Sequence, residues 1–271
     1  MASPIYGLVL PTKSSDVQVS SEDLCCLLGN RWLSNWNIDP IIHLINRFAA
    51  GDSISTRALS LSETMALSEI SREDSVVTTS LLADLELEIK SGHVTRILAP
   101  AFVNSNHFTL FSINFMQHTY AYADSLSSSA TLPKRYATAL GRWAKHVSNH
   151  PFTAKNSPSF TLPPQNDTFS CGVVVLSAIA SIMIESPAWS KQHADLFRLL
   201  WFAWSLNPDY EKVIPIILHQ MRGFKVLIVI FWTAIPPHAC STTSMRYSAS
   251  KASAFIPSPS AYRSASKMLK D

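Results

Sequence analysis

The 271 residues are 47% apolar, enough to bury a full core in one domain with extensions. Twenty-two Lys and Arg against nineteen Asp and Glu give a net charge of +3, and without a basic block this speaks against nucleic-acid binding. The four cysteines, Cys25, Cys26, Cys171 and Cys240, hold no Cys-x-x-Cys, so neither a disulfide framework nor a zinc site is suggested, and a reducing compartment fits.

Residues 1–20 read as a polar leader. They carry no cationic start before a long apolar run, so no secretory signal is expected. Asp39-Pro40 reads as the start of a helix, a cap followed by a first-turn proline, with Ile41, Ile42, Leu44, Ile45 and Phe48 on an apolar face. Residues 52–78 are rich in Ser and Thr and show no clear period. A helix over Thr79 to Lys90 ends near Gly92. Ile97 to Val103 and His107 to Asn114 read as strands joined by an Asn-Ser-Asn turn, with His118 to Asp124 as a third β run. Tyr136, Leu140, Trp143 and Val147 recur at helical spacing after Leu132-Pro133, and the charged face of that helix, Lys134, Arg135, Arg142 and Lys145, is most simply solvated. Phe160-Thr161-Leu162 suggests a short strand. Val173 to Ile184 reads as a buried helix ending at Glu185-Ser186-Pro187, and Ala194 to Leu206 as a last helix. In the remainder, 207–271, the apolar run Lys225 to Ile235 is short of the ~20 residues needed to span a bilayer. The Ser/Ala-rich end beyond it has no core pattern, so this extension is expected to be poorly ordered.

Cys171 stands where the loop Pro164-Gln165-Asn166-Asp167-Thr168-Phe169-Ser170 meets the buried helix. A thiolate is the reactive form of cysteine, and the N–H groups and dipole at a helix N-terminus favour it. Gly172 is expected to keep the space beside the sulfur open. The turn before it can carry the Gln165 amide back over the nucleophile, where Gln165 and the Cys171 backbone N–H would form an oxyanion hole. A base is needed within reach, held by a third group on its far nitrogen. His107 opens one strand and Asp124 closes the next, and antiparallel pairing brings such ends together. The remaining histidines show no paired metal spacing.

With these residues in place, the chain resembles the ubiquitin-like-protein-specific cysteine proteases, which include the SUMO (sentrin) proteases and are related to the adenovirus protease. Arg31-Trp32-Leu33-Ser34-Asn35 with Ile38 and Ile41 is similar to the family's Trp-Leu motif. Asn106-His107-Phe108 matches its histidine strand, Asp124-Ser125-Leu126 its acid, and Gln165 through Cys171-Gly172 its nucleophile segment. Phe108 stands where the family usually has Trp, and Asn35-Trp36 where it commonly has Asp soon after Trp-Leu, which bears on modifier preference more than on catalysis. The resemblance implies an α+β papain-like cysteine protease fold, a mostly antiparallel central sheet flanked by helices, with residues 21–206 as the catalytic domain. It implies His107 as base, Asp124 as its orienter, Gln165 as oxyanion donor and Cys171 as nucleophile. Trp32 and Phe108 would contact substrate. The implied activity is a thiol protease that cuts after the glycine-glycine end of a ubiquitin-like modifier, SUMO first, in precursors or conjugates. Only glycine lets a backbone pass so narrow a channel.

The expected protein is a monomer in the nucleus or cytoplasm, with no cofactor, metal, nucleic acid or membrane, its partners being the modifier and its conjugates. Each residue has a plainer reading: a lone cysteine before an apolar helix is usually a small buried hydrophobe, Asp124 a turn-starter, Trp32 a core aromatic. Asp167, close to Cys171, reads as a turn cap rather than the acid. The same triad also serves a deubiquitinase or an acetyltransferase, and a decayed copy would be an inactive modifier-binding module.

Overall fold

The computed structural model describes residues 8–9, 18–19, 21–49, 55–70, 80–127, 131–155, 160–186 and 188–206. The expected C-terminal extension 207–271, including the apolar run 225–235, lies outside them, as does most of the leader. Within the leader, β1 (Leu8–Val9) and β2 (Gln18–Val19) pair antiparallel.

In chain order there follow α1 (Ser21–Cys26), α2 (Asn35–Ala49), β3 (Thr56–Ala58), α3 (Leu61–Glu69) and α4 (Ser80–Lys90). Next come β4 (Arg96–Val103), β5 (His107–Asn114), β6 (Thr119–Ala123) and α5 (Lys134–Ser148). The series ends with β7 (Thr153–Ala154), α6 (Cys171–Ile184), a 3-10 turn (Lys191–His193) and α7 (Ala194–Leu206). Five strands form one sheet in the order β3-β4-β5-β6-β7. The long ladders, β4 with β5 and β5 with β6, are antiparallel, while the short edge strands β3 and β7 join parallel. This is the α+β, mostly antiparallel arrangement expected.

Both faces of the sheet are covered, which explains why β5 is buried along nearly its whole length rather than on alternate residues. Ile97, Ala99, Ala101 and Val103 of β4 and Phe111 and Ile113 of β5 belong to one core with α3, α4 and α5. There Tyr136, Leu140, Trp143 and Val147 of α5 are all buried, and the Trp143 indole N–H donates to the buried Glu86 carboxylate of α4 at 3.0 Å. Helix α6 packs across β5 and against α2. It is apolar on nearly every face, as befits a helix with ten of its fourteen residues buried. The β4–β5 hairpin turns through Asn104 and Ser105, both at positive φ (53° and 60°), a conformation that Asn tolerates well.

Two expectations are corrected. Helix α2 does not begin at Asp39-Pro40. Its first turn forms at Asn35, where the Ser34 carbonyl accepts from the N–H groups of Asn37 and Ile38, so Pro40 lies inside the helix and Asp39 serves elsewhere. The Asp39 carboxylate accepts from the Leu61 N–H (2.6 Å) and the Ser62 hydroxyl (2.9 Å), holding the start of α3 against α2. Secondly, Phe160-Thr161-Leu162 forms no strand. Phe160 and Leu162 turn inward as buried side chains, and among the described residues β7 takes the sheet edge beside β6. The Ser/Thr-rich 52–78 region, whose lack of period leaves its structure open, holds β3 and α3. Its signal was present: Ser60 and Glu63 form a reciprocal capping box, the S-x-x-E pattern that marks a helix start.

Candidate active site

Cys171 is the first residue of α6 and is 4% exposed. The turn before it is organised by Asp167, whose carboxylate accepts from the N–H groups of Phe169 (2.9 Å) and Ser170 (2.7 Å) and from the Ser170 hydroxyl (2.8 Å). Asp167 is thus a turn cap, as expected. These bonds aim the first turn of α6, with its positive dipole end, at the sulfur.

His107 opens β5 and is buried. Asp124 directly follows β6, and its Oδ1 lies 2.7 Å from His107 Nε2. The same oxygen accepts from the Leu126 N–H at 2.8 Å, so the carboxylate is held on two sides. With Nε2 turned to Asp124, the nitrogen left for the thiol is Nδ1. The hydrogen bond with Cys171 raises the affinity of His107 for its proton above the ordinary imidazole value; burial opposes it, and the hydrogen bond and charge of Asp124 add to the rise. Geometry and charge therefore favour an imidazolium beside the sulfur.

Gln165 is 5% exposed and is fixed at three points. Its backbone N–H donates to the Ser125 carbonyl (3.0 Å), its Oε1 accepts from the Ser125 hydroxyl, and its Nε2 donates to the Asp167 carbonyl (2.8 Å). The four residues expected to carry the chemistry come from β5, the end of β6, the loop before α6 and the start of α6, and the structure brings them together through these bonds. The two expected substrate contacts separate. Trp32 is half-exposed, available to a ligand. Phe108 is buried and packs on Phe102 with centroids 4.8 Å apart, so it presents no open surface and belongs to the core.

Gly172 has a different role from the one expected. A Cβ there would lie 3.2 Å from Leu33 Cβ and Cδ1 and 3.3 Å from Ile38 Cδ1; the neighbouring space is filled, and glycine lets α6 close on the segment that carries Trp32. Gly172→Ala is expected to lower stability by about 1 kcal/mol, because overpacking at about 1–3 kcal/mol exceeds the gain in helix propensity of roughly 1 kcal/mol; urea unfolding with an unchanged m-value would measure it.

Arg198 of α7 was not anticipated. Its buried guanidinium donates to the carbonyls of Cys26 (3.1 Å), Arg31 (3.1 Å) and Phe169 (2.9 Å) and lies over the Phe169 ring, 5.5 Å from its centroid. It ties the Trp32 segment to the loop before Cys171, a role that a lone Arg in an apolar helix does not announce. Ser125, which belongs to the Asp-Ser-Leu match, enters the site through its bonds to Gln165. Among the described residues Cys25, Cys26 and Cys171 form no disulfide, no His/Cys/Asp/Glu group could hold a metal ion, and no helix is long and apolar enough to cross a membrane.

No protein-family model matches the chain, and no curated protein does. Solved structures do. The C-terminal protease domain of Ulp1, in complex with Smt3, the yeast ortholog of SUMO, superposes with a TM-score of 0.57 at 18% identity, covering 77% of this chain and 90% of that one. Ulp1 with its catalytic cysteine oxidized to a sulfonic acid gives 0.57 and 18%, over 76% and 90%. The Ulp1-like SUMO protease catalytic domain of Chaetomium thermophilum gives 0.51 and 18%, over 68% and 76%. The chain has the fold of the Ulp1-like SUMO proteases, in agreement with the resemblance read from its motifs.

Proposed function

We propose that this chain is a thiol protease that cleaves after the C-terminal glycine-glycine of a ubiquitin-like modifier, SUMO first, from precursors or from conjugated lysines. The observation that carries the reading is the Asp124–His107 bond at 2.7 Å, with Cys171 at a helix N-terminus and its thiol the leading influence that raises the proton affinity of His107. A structural cysteine needs no such relay.

In this mechanism His107 Nδ1 takes the thiol proton, and the sulfur attacks the scissile carbonyl, opening its π bond to a tetrahedral oxyanion. Gln165 Nε2, which has a second hydrogen beyond the one given to the Asp167 carbonyl, and the Cys171 N–H would stabilise that oxygen. Collapse breaks the C–N bond, and His107 returns the proton to the leaving amine. Water, deprotonated by His107, then releases the acyl group and regenerates the thiol. Asp124 keeps the ring oriented throughout. Residues 21–206 would be the catalytic domain, and exposed Trp32 would flank the channel for the glycine tail.

SUMO is favoured because the Ulp1 domain sharing this fold is bound to Smt3. The test is covalent capture by a panel of ubiquitin-like proteins bearing C-terminal electrophiles, with the modified peptide mapped. A SUMO adduct on Cys171 is the expected result. An adduct with ubiquitin alone would change the substrate, and no adduct with any from folded protein would refute the deconjugase.

A further inference from the structure

The turn after β6 contributes two consecutive residues to the site in different ways. Asp124 holds His107; Ser125, 3% exposed, holds Gln165 through both its backbone carbonyl and its hydroxyl. Resting on the hydrolase reading above, we propose that Ser125 is a positioning residue that fixes and polarises the Gln165 carboxamide, so that a single turn sets both the base and the oxyanion donor.

A primary carboxamide is nearly symmetric in shape and opposite in hydrogen bonding at its two ends, and an Oε1 facing a developing oxyanion would repel it. The Asp167 carbonyl can only accept, so it selects the NH2 end of Gln165 at 2.8 Å. The Ser125 hydroxyl supplies the complementary donor to Oε1. Together they define the amide plane at both ends. Donation to Oε1 also draws electron density from the amide nitrogen, which strengthens its remaining N–H as a donor. Removing the hydroxyl would leave Oε1 in a buried site without that donor and the plane held from one end alone.

The effect should fall on the tetrahedral oxygen and spare the Cys171–His107 pair. On the full chain, Ser125→Ala is expected to lower kcat for a SUMO C-terminal fluorogenic amide by about tenfold to thirtyfold, less than the roughly 10²–10³ lost when an oxyanion donor is deleted outright, with KM unchanged. A glycine-glycine aldehyde of the modifier, bound as a thiohemiacetal, should lose affinity by a similar factor. The pH profile of Cys171 alkylation by iodoacetamide should not move, since alkylation builds no oxyanion. In a Gln165→Ala background, Ser125→Ala should have no further effect on kcat. Ser125→Cys, of similar size and a weaker donor, should lose several-fold, and keeps the test readable if the alanine variant does not fold.

An unchanged kcat, an alkylation profile that shifts together with it, or an equal loss in the Gln165→Ala background would overturn the proposal while leaving the hydrolase intact. Wild type that neither cleaves nor is captured would instead overturn the hydrolase reading, and this role with it.

Discussion

Replacing Cys171 by Ala is expected to lower kcat/KM on a SUMO C-terminal amide by about 10⁴-fold or more, and His107→Ala by a comparable factor. The double variant should be no worse than the worse single one. The thiol interacts with an imidazole that is itself held by Asp124 at 2.7 Å, so each is useless without the other: the imidazole has no proton to take once the sulfur is gone, and the sulfur has no base once the ring is gone. Groups that act as a unit give grossly non-additive losses. The check is a double-mutant cycle in steady-state kinetics. Losses that multiplied would mean that the two side chains act independently, and the relay described here would be wrong.

Asp124→Asn is expected to lower kcat/KM by about 10³–10⁴-fold and to move the alkaline limb of the pH–rate profile toward acid. The size follows from proton placement. Asp124 Oδ1 is 2.7 Å from His107 Nε2 and can only accept, which puts the proton of the neutral ring on Nε2 and leaves Nδ1 able to receive the thiol proton. An Asn that offers its NH2 to Nε2 stabilises the opposite tautomer. The sign of the pH shift follows from the influences on His107. Its proton affinity is raised above the ordinary value of 6.5 by the Cys171 hydrogen bond and then by the hydrogen bond and charge of Asp124, against burial. A group raised in this way stays protonated to higher pH. Taking away the Asp124 charge leaves burial less opposed, so the imidazolium loses its proton at lower pH. The descending limb, which reports that loss, must move down; an unmoved limb would exclude Asp124 as the partner that sustains it. Asp124→Glu, which retains charge with altered reach, should recover the limb's position better than the rate.

How much of this was legible in the chain differs from element to element. The apolar, small-residue run after Cys171 reads as a buried helix, and α6 begins at Cys171 as that reading implies. Helix α7 covers Ala194–Leu206 as expected, and the strand that opens with His107 and the one that precedes Asp124 follow from runs of branched and aromatic residues between turn formers. Local pattern was misleading at Asp39-Pro40, where cap and proline suggest a helix start. Bonds to Leu61 and Ser62 claim the carboxylate instead, a competition that no local window contains. The Phe160-Thr161-Leu162 run has strand composition, but burial of Phe160 and Leu162 is achieved without a ladder.

Residue types, order and spacing therefore determined the nucleophile, base, acid and oxyanion candidates, because those roles need particular side chains at particular kinds of element boundary. What only the tertiary structure decided are the contacts between residues far apart in the chain. Phe108 is in the core; Gly172 is glycine because Leu33 and Ile38 sit 3.2–3.3 Å from where a Cβ would be; Arg198 fastens three carbonyls from three segments; and Ser125 reaches Gln165 across forty residues of sequence. A side chain's neighbours across the fold are set by how helices and sheet pack, and a hydrogen bond or a steric contact, acting over a few ångströms, is written into that packing and not into the local sequence.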